Sequence, residues 1–202
     1  KFRGWLIEEA RRLNLIYKDQ AFVDGKAGEY PEELETRRVS DKGLEILIRP
    51  IRMSDEPLLK DFWYRLSDRS MYLSFASARK DMSHERLQEM VIVDYTKQMA
   101  LLAVTPEDEN PRVIGVARYF LNPDVSTAEV TIVVRDDYQN KGVGKELLSY
   151  LSYLAKKNGL VGFTAVVLVA NVAVMRLFQK MGFDTQTICE DGGVYEMKVM
   201  FR

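Results

Sequence analysis

Tyr138-Gln139-Asn140-Lys141-Gly142-Val143-Gly144-Lys145 is the stretch on which the reading of this chain turns. It lies between an apolar run, Glu129 to Arg135, and a segment from Gly142 to Lys157 in which Val143, Leu147, Leu148, Leu151 and Leu154 recur at helical spacing. A turn that feeds a strand into the start of a long helix presents N–H groups with no partner inside the helix. The aligned peptide dipoles add roughly half a positive charge at that end. Such an end holds anions. Gly142 and Gly144 would let the backbone approach a diphosphate closely, and Lys141 and Lys145 add mobile positive charge. A glycine pair before a helix also fits a plain tight turn. The segment is not a P-loop, because no Gly-Lys-Ser/Thr follows at the required spacing. It is not a dinucleotide fingerprint either, because Leu147 stands where the third glycine would fall.

Outward from this loop the chain reads as alternating elements. Upstream, Leu44, Ile46 and Ile48 alternate with Glu45, Leu47 and Arg49 in a strand ending at Pro50. Ser54 reads as the N-cap of a helix with Leu58, Leu59, Phe62, Trp63 and Leu66 along one side, and a second helix follows Ser83. Met99 to Val104, Val113 to Leu121 and Glu129 to Arg135 read as strands joined by short turns, an antiparallel meander. Downstream, Ala165 to Val169 is aliphatic enough for a strand buried on both faces. The helix Val172 to Met181 stops at Gly182, and Asp191-Gly192-Gly193 marks a final hairpin. The expected class is α/β: a mixed, mostly antiparallel sheet flanked by helices.

Composition excludes several chemistries. Cys189 is the only cysteine and His84 the only histidine among 202 residues, so disulfide frameworks, cysteine-cluster zinc sites and His-Cys fingers are ruled out, and no metal is expected. The net charge of -1 gives no support to nucleic-acid binding. The most apolar stretch, Phe163 to Met175, is interrupted by Thr164 and Asn171 and falls short of the ~20 residues of a membrane span. The first residues lack Met and a signal-peptide layout, which reads as a piece of a longer cytoplasmic polypeptide.

The loop, written Gln139-Asn140-Lys141-Gly142-Val143-Gly144, resembles the acyl-CoA-binding motif of the GNAT N-acetyltransferase superfamily, Gln/Arg-x-x-Gly-x-Gly/Ala. Ala128 to Val134 looks like that family's central strand. Asn171 through Leu177-Phe178 to Gly182-Phe183 looks like its Asn-containing helix. The resemblance covers about residues 44 to 202. Ile48-Arg49-Pro50-Ile51, Ser54 to Leu59 and Thr127-Ala128-Glu129 look most like the bacterial protein-lysine acetyltransferases.

The resemblance implies acetyl-CoA as co-substrate. Its diphosphate would be held by the amides from Asn140 to Lys145. Its pantetheine arm would pair strand-like with Ile132 and Val134, with Asn171 on the same arm. An amine would then attack the thioester directly. A free lysine with pKa ~10.4 is neutral about once in 2,500 at pH 7, a deficit of about 4.6 kcal/mol that a base recovers in part. Glu129 is the candidate base, in a strand that is otherwise apolar. The alternative is an ordinary strand glutamate that reaches solvent or pairs with an arginine such as Arg118. Many family members carry Tyr seven residues after the helix Asn, as the acid for the leaving thiolate. Here Phe178 stands there, shaping the acyl wall but giving no proton, so water, Tyr138 or Tyr195 would have to serve.

Residues 1 to 17 have helical spacing, and Asp24 to Pro31 reads as a linker. Residues 1–31 weakly resemble the C-terminal end of acetyl-CoA hydrolase/transferase proteins. This divides the chain into 1–42, the tail of an upstream CoA-handling domain plus linker, and 43–202, the acetyltransferase-like domain. Two acceptor classes follow, a protein lysine first and a small amine second. A non-catalytic acetyl-CoA-sensing domain is the alternative from another class. His84 and Arg79-Lys80 read as surface, Cys189 as packing, and Arg135-Asp136-Asp137 as a strand cap.

Overall fold

Met99 to Val104 carries no polar side chain, and the fold explains why: every position of the strand β3 (Gln98–Val104) is buried, with both faces covered. The computed structural model describes residues 28–75, 83–106, 111–122, 126–191 and 193–202, apart from the side chains of 189–191. Around β3 stand β1 (Thr36–Val39), β2 (Glu45–Pro50), β4 (Val113–Leu121), β5 (Thr127–Val134), β6 (Gly162–Leu168), β7 (Asp184–Asp191) and β8 (Val194–Met200). They form one sheet in the order β1-β2-β3-β4-β5-β6-β8-β7. Neighbours pair antiparallel except β5 and β6, which are parallel and joined through the helix α4 (Val143–Lys157). This is the mixed, mostly antiparallel sheet expected from the sequence.

The alternation of side chains divides the interior into two cores. Met99, Leu101, Ala103, Tyr119, Val130 and Ile132 face α4 and α5 (Val172–Lys180). Ala100, Leu102, Val116 and Val133 face α1 (Glu56–Arg65), α2 (Asp68–Phe75) and α3 (His84–Val91). Gly115 in β4 is small because α4 takes the space: a Cβ there would meet Leu147 Cδ1 at 2.8 Å.

Three expectations are corrected. The folded unit does not start near residue 43. β1 pairs with β2 from Thr36↔Ile48 to Val39↔Glu45. The chain is already docked at Gly28, whose N–H donates to Val93 O at 3.0 Å. Tyr30 adds to this, its hydroxyl donating to Glu35 at 2.6 Å and its ring edge meeting Tyr95. Thr36-Arg37-Arg38-Val39 shows no apolar alternation because β1 is an edge strand, where charge blunts further pairing. Second, Ser54 is not a helix cap. It lies in a 3-10 turn, Met53–Asp55, and α1 starts at Glu56. Buried Asp55 instead receives both ends of the Arg49 guanidinium at 2.7 Å and the Arg52 N–H. Third, α2 is an element that the hydrophobic pattern does not reveal, since it buries only Ser70 and Met71. The expected helix over residues 1–17 and the Arg79-Lys80 pair lie outside the described residues.

Candidate active site

β5 and β6 begin as partners and then part. Their register covers only Thr127↔Gly162, Ala128↔Phe163 and Glu129↔Thr164. Beyond Glu129, the last five residues of β5 stay paired with β4, and the last four of β6 stay paired with β8, but the two strands no longer pair with each other. The result is a V-shaped cleft with Glu129 and Thr164 at its closed end. Asn122 clasps that end, its Nδ2 donating to Thr127 Oγ1 at 2.8 Å and to Thr164 Oγ1 at 3.0 Å.

Strand geometry decides which main-chain groups face the opening. The Arg135 N–H donates to Ile114 O, toward β4. Main-chain direction alternates along a strand, so Ile132 and Val134 turn their N–H and C=O groups the other way, into the cleft. The Val134 carbonyl accepts from Gln139 Nε2 at 3.1 Å.

The glycine loop sits at the wide end. Gly142 has φ 86°, a left-handed conformation that suits glycine, and so does Asn140 at φ 60°. Gly142 also faces the β1–β2 turn, where a Cβ would come within 2.7 Å of Ser40 Cβ. Gly144 lies between the banks. A Cβ there would be 3.4 Å from Leu177 on α5, 3.6 Å from Val134 and 3.9 Å from Ile132. The first intrahelical bond of α4 is Glu146 N–H to Gly142 O. The N–H groups of Val143, Gly144 and Lys145 precede it and have no acceptor among the described residues. Lys145 reaches Asp41 at 3.3 Å, and Lys141 lies over the Tyr138 ring at 5.0 Å. This set of donors suits a diphosphate: it is made of helix-start N–H groups and ammonium ions, with Asp41 the carboxylate beside Lys145.

Glu129 is half-buried, and alternation aims it at the α1–α3 face, opposite α4. Phe120 is its direct cross-strand neighbour on β4, and Arg118 pairs with Thr131 next along, which makes Arg118 a diagonal neighbour on the same face. Arg118 is buried, donates to Gln98 Oε1 at 3.2 Å and lies over the Phe120 ring. On this face, between the sheet and the helices α1 and α3, an apolar cavity of about 80 Å³ adjoins Thr131 and Val133.

The helix α2 ties the two banks together. Ser67 caps it by accepting the Ser70 N–H at 3.1 Å. Asp136, just past β5, accepts from the Ser67 N–H at 2.9 Å, the Ser67 hydroxyl at 2.6 Å and the Ser70 hydroxyl at 2.8 Å. Burial pulls the Asp136 carboxyl upward, but the donors from Ser67 and Ser70 outweigh it and hold the group below its ordinary value. Asp137 is held down chiefly by Arg135, with bonds of 2.6 Å to each carboxylate oxygen. From the other bank, Asn171 Nδ2 donates to Leu73 O on α2 at 3.2 Å, while its Oδ1 accepts from Val174 N to cap α5.

The sequence-derived site residues therefore fall in three groups. Ile132, Val134, Gln139, Asn140, Lys141, Gly142, Val143, Gly144 and Lys145 lie along one bank and the wide end of the cleft, and Glu129 lies at its apex. Asn171 stands beyond the end of the β6 bank, with its amide engaged on α2 and α5. Phe178 differs from its expected place: it is 1% exposed, inside the α4-side core, and offers no ring surface to an acyl group. Tyr195 packs against the same core, opposite Val167. Asn122, Ser67, Ser70 and Asp136 were not singled out as site residues in the sequence. The bonds that place them, Asn122 with Thr164 and Asp136 with Ser67 and Ser70, join positions 42 to 69 residues apart, and no local pattern marks such pairs.

A family model described as the acetyltransferase (GNAT) family matches residues 61–183. An acetyltransferase of Pseudomonas aeruginosa is 31% identical over 151 residues, covering 75% of this chain and 81% of its own length. The acetyltransferase Pat of Mycolicibacterium smegmatis is 30% identical over 153 residues, and the match spans only 44% of that longer protein. Among solved structures, the GNAT domain of Streptomyces lividans PAT superposes with a TM-score of 0.77 at 26% identity, over 86% of this chain and 100% of that domain. A Salmonella typhimurium protein solved with its cofactor acetyl-CoA shares the fold at a TM-score of 0.58 and 20% identity, over 77% of this chain and 91% of that one.

Proposed function

This chain belongs to the GNAT acetyltransferase family and is an N-acetyltransferase; we propose that it moves the acetyl group of acetyl-CoA to a primary amine, first of all a protein lysine, with Glu129 as general base. The observation that carries this reading is the parting of β5 and β6 just past Glu129, with free helix-start N–H groups at the wide end. The diphosphate fits those donors, beside Gly144, where the missing side chain lets the backbone approach it. The pantetheine amides fit the main-chain edge of Ile132 and Val134, as an added strand would. The thioester then lies toward the apex, between the α4 face and the face that carries Glu129.

In this mechanism Glu129 takes a proton from the ammonium, directly or through one water. The amine nitrogen attacks the carbonyl carbon, and the tetrahedral adduct collapses with cleavage of the C–S bond while its extra N–H proton passes to the departing thiolate or to water. The thiolate leaves without strict need of an acid, because its pKa is near the ~8.5 of a cysteine thiol. That accommodates Phe178, which has no proton to give. Lysine as acceptor rests on the resemblance of Ile48 to Ile51, Ser54 to Leu59 and Thr127 to Glu129 to the bacterial protein-lysine acetyltransferases. Fusion to an upstream CoA-handling domain remains part of the proposal, resting on the resemblance of residues 1–31 alone.

The test is steady-state acetylation of lysine peptides, intact proteins and polyamines by wild type and Glu129→Gln. A fall in kcat of about tenfold or more with acetyl-CoA affinity intact supports the base role. An unchanged rate removes Glu129 from the mechanism. Tight acetyl-CoA binding without turnover on any amine would favour the sensing role, which draws on Phe178 and on the CoA-handling resemblance of residues 1–31.

A further inference from the structure

The cavity on the Glu129 face has no part in the chemistry above. Its volume of about 80 Å³ is several times the ~10–15 Å³ that a single water molecule requires, which is room for a group of a few carbons. Its walls are mainly apolar; Arg118, which is bonded to Gln98, and Thr131 are polar, and three further groups break that pattern. Trp63, 3% exposed, lines the cavity with an indole N–H that is buried and has no hydrogen-bond partner among the described residues. Arg86 on α3 also lines it, and its Nε is buried and without a partner among the described residues. Glu89, one turn further along α3, makes no ion pair among the described residues. Buried N–H groups in native proteins are almost always bonded, and an orphan that lines an open cavity points to an acceptor brought by a ligand. The occupant therefore carries apolar atoms, oxygens that accept from Trp63 and Arg86, and an N–H or cation to face Glu89. An extended polypeptide carries all three.

Distance places this pocket relative to the chemistry. Thr131 and Val133 line it, and they stand two and four residues beyond Glu129 on the same face of β5. At ~3.3 Å per residue that is about 7 and 13 Å from the base. An extended peptide repeats a side chain on one face every ~7 Å. Resting on the lysine-acetyltransferase reading, we propose that this cavity is a specificity pocket of the acceptor site. It takes an apolar side chain, of the size of Leu or Ile, within two residues of the lysine to be acetylated.

The experiment is a set of lysine peptides differing only at the flanking positions, assayed with the wild-type chain, Met90→Trp and Arg86→Met. Met90 is half-buried on the cavity wall, and an indole there fills the space. A Leu-flanked peptide should exceed its Gly counterpart in kcat/KM by about tenfold or more in the wild type, and by roughly threefold or less in Met90→Trp. Acetyl-CoA affinity like that of the wild type shows that the variant is folded. Arg86→Met, which keeps the stem and removes the donor, should lower kcat/KM for the Leu peptide about fivefold. Equal rates on Leu and Gly peptides in the wild type overturn the pocket and leave the lysine reading standing. So does full discrimination in a folded Met90→Trp. Acetylation of free amines but of no peptide overturns both.

Discussion

Two glycines of one loop do different work. Gly144 is helical, and a Cβ built there meets only ordinary contacts, the nearest atom at 3.4 Å. A carboxylate can be placed there without backbone strain, at the point where the diphosphate is proposed to sit. Gly144→Asp should therefore weaken acetyl-CoA binding about tenfold or more, with little change in Tm, as calorimetry and thermal melts would read it. Gly142 has φ 86° and a Cβ position within 2.7 Å of Ser40. Gly142→Ala should cost about 1 kcal/mol or more in a urea titration, since it combines left-handed strain with a clash. The loop was legible because its chemistry is local: Gly142, Gly144 and the helix they precede lie within one short segment. Glu129 was legible as a charge in an apolar strand. Asn122 was not, because its meaning comes from Thr164, brought beside Thr127 only by the β5–β6 pairing. Phe178 was placed by its offset from Asn171, and that offset carries no information on which way the ring turns.

At the level of elements, strongly patterned segments were readable and weakly patterned ones were not. β3, β4 and α4 bury long apolar faces. β1 and α2 carry almost none, and both owe their place to polar bonds with distant residues. α2 depends on Asp136, which gives a prediction. The folded-state pKa of Asp136 is lowered, so its stabilising effect is present above the ordinary aspartate range and is lost as the pH falls through the folded value. Asp136→Asn should be less stable than wild type at pH 7 by about 1 kcal/mol or more. The gap should close on acidification below about pH 4, in urea titrations followed at both pH values.

For the molecule as a whole, stability depends on how α4 seats against the sheet. Leu147 is fully buried and fills the space that Gly115 leaves. Leu147→Ala should cost about 2–5 kcal/mol, measured by chemical denaturation. The N-terminal margin adds its own part. Arg38 pairs with Glu146 on α4 at 3.4 Å, and Tyr30, pushed up to about 12 by burial and by Glu35, is bonded in its neutral form. A chain beginning at Gly43 lacks these ties and should melt about 5 °C or more below one beginning at Gly28.

Fastening one short helix to both sides of an opening has a kinetic meaning. Asp136 holds its first turn from the strand that would carry the donor, and Asn171 grips its far end from the opposite strand. Any molecule that spreads the two sides must pull on this helix, which belongs to the surface where the nucleophile arrives. By linkage, whatever coupling this helix carries between the two substrates is reciprocal: what the first to bind does for the affinity of the second, the second does for the first.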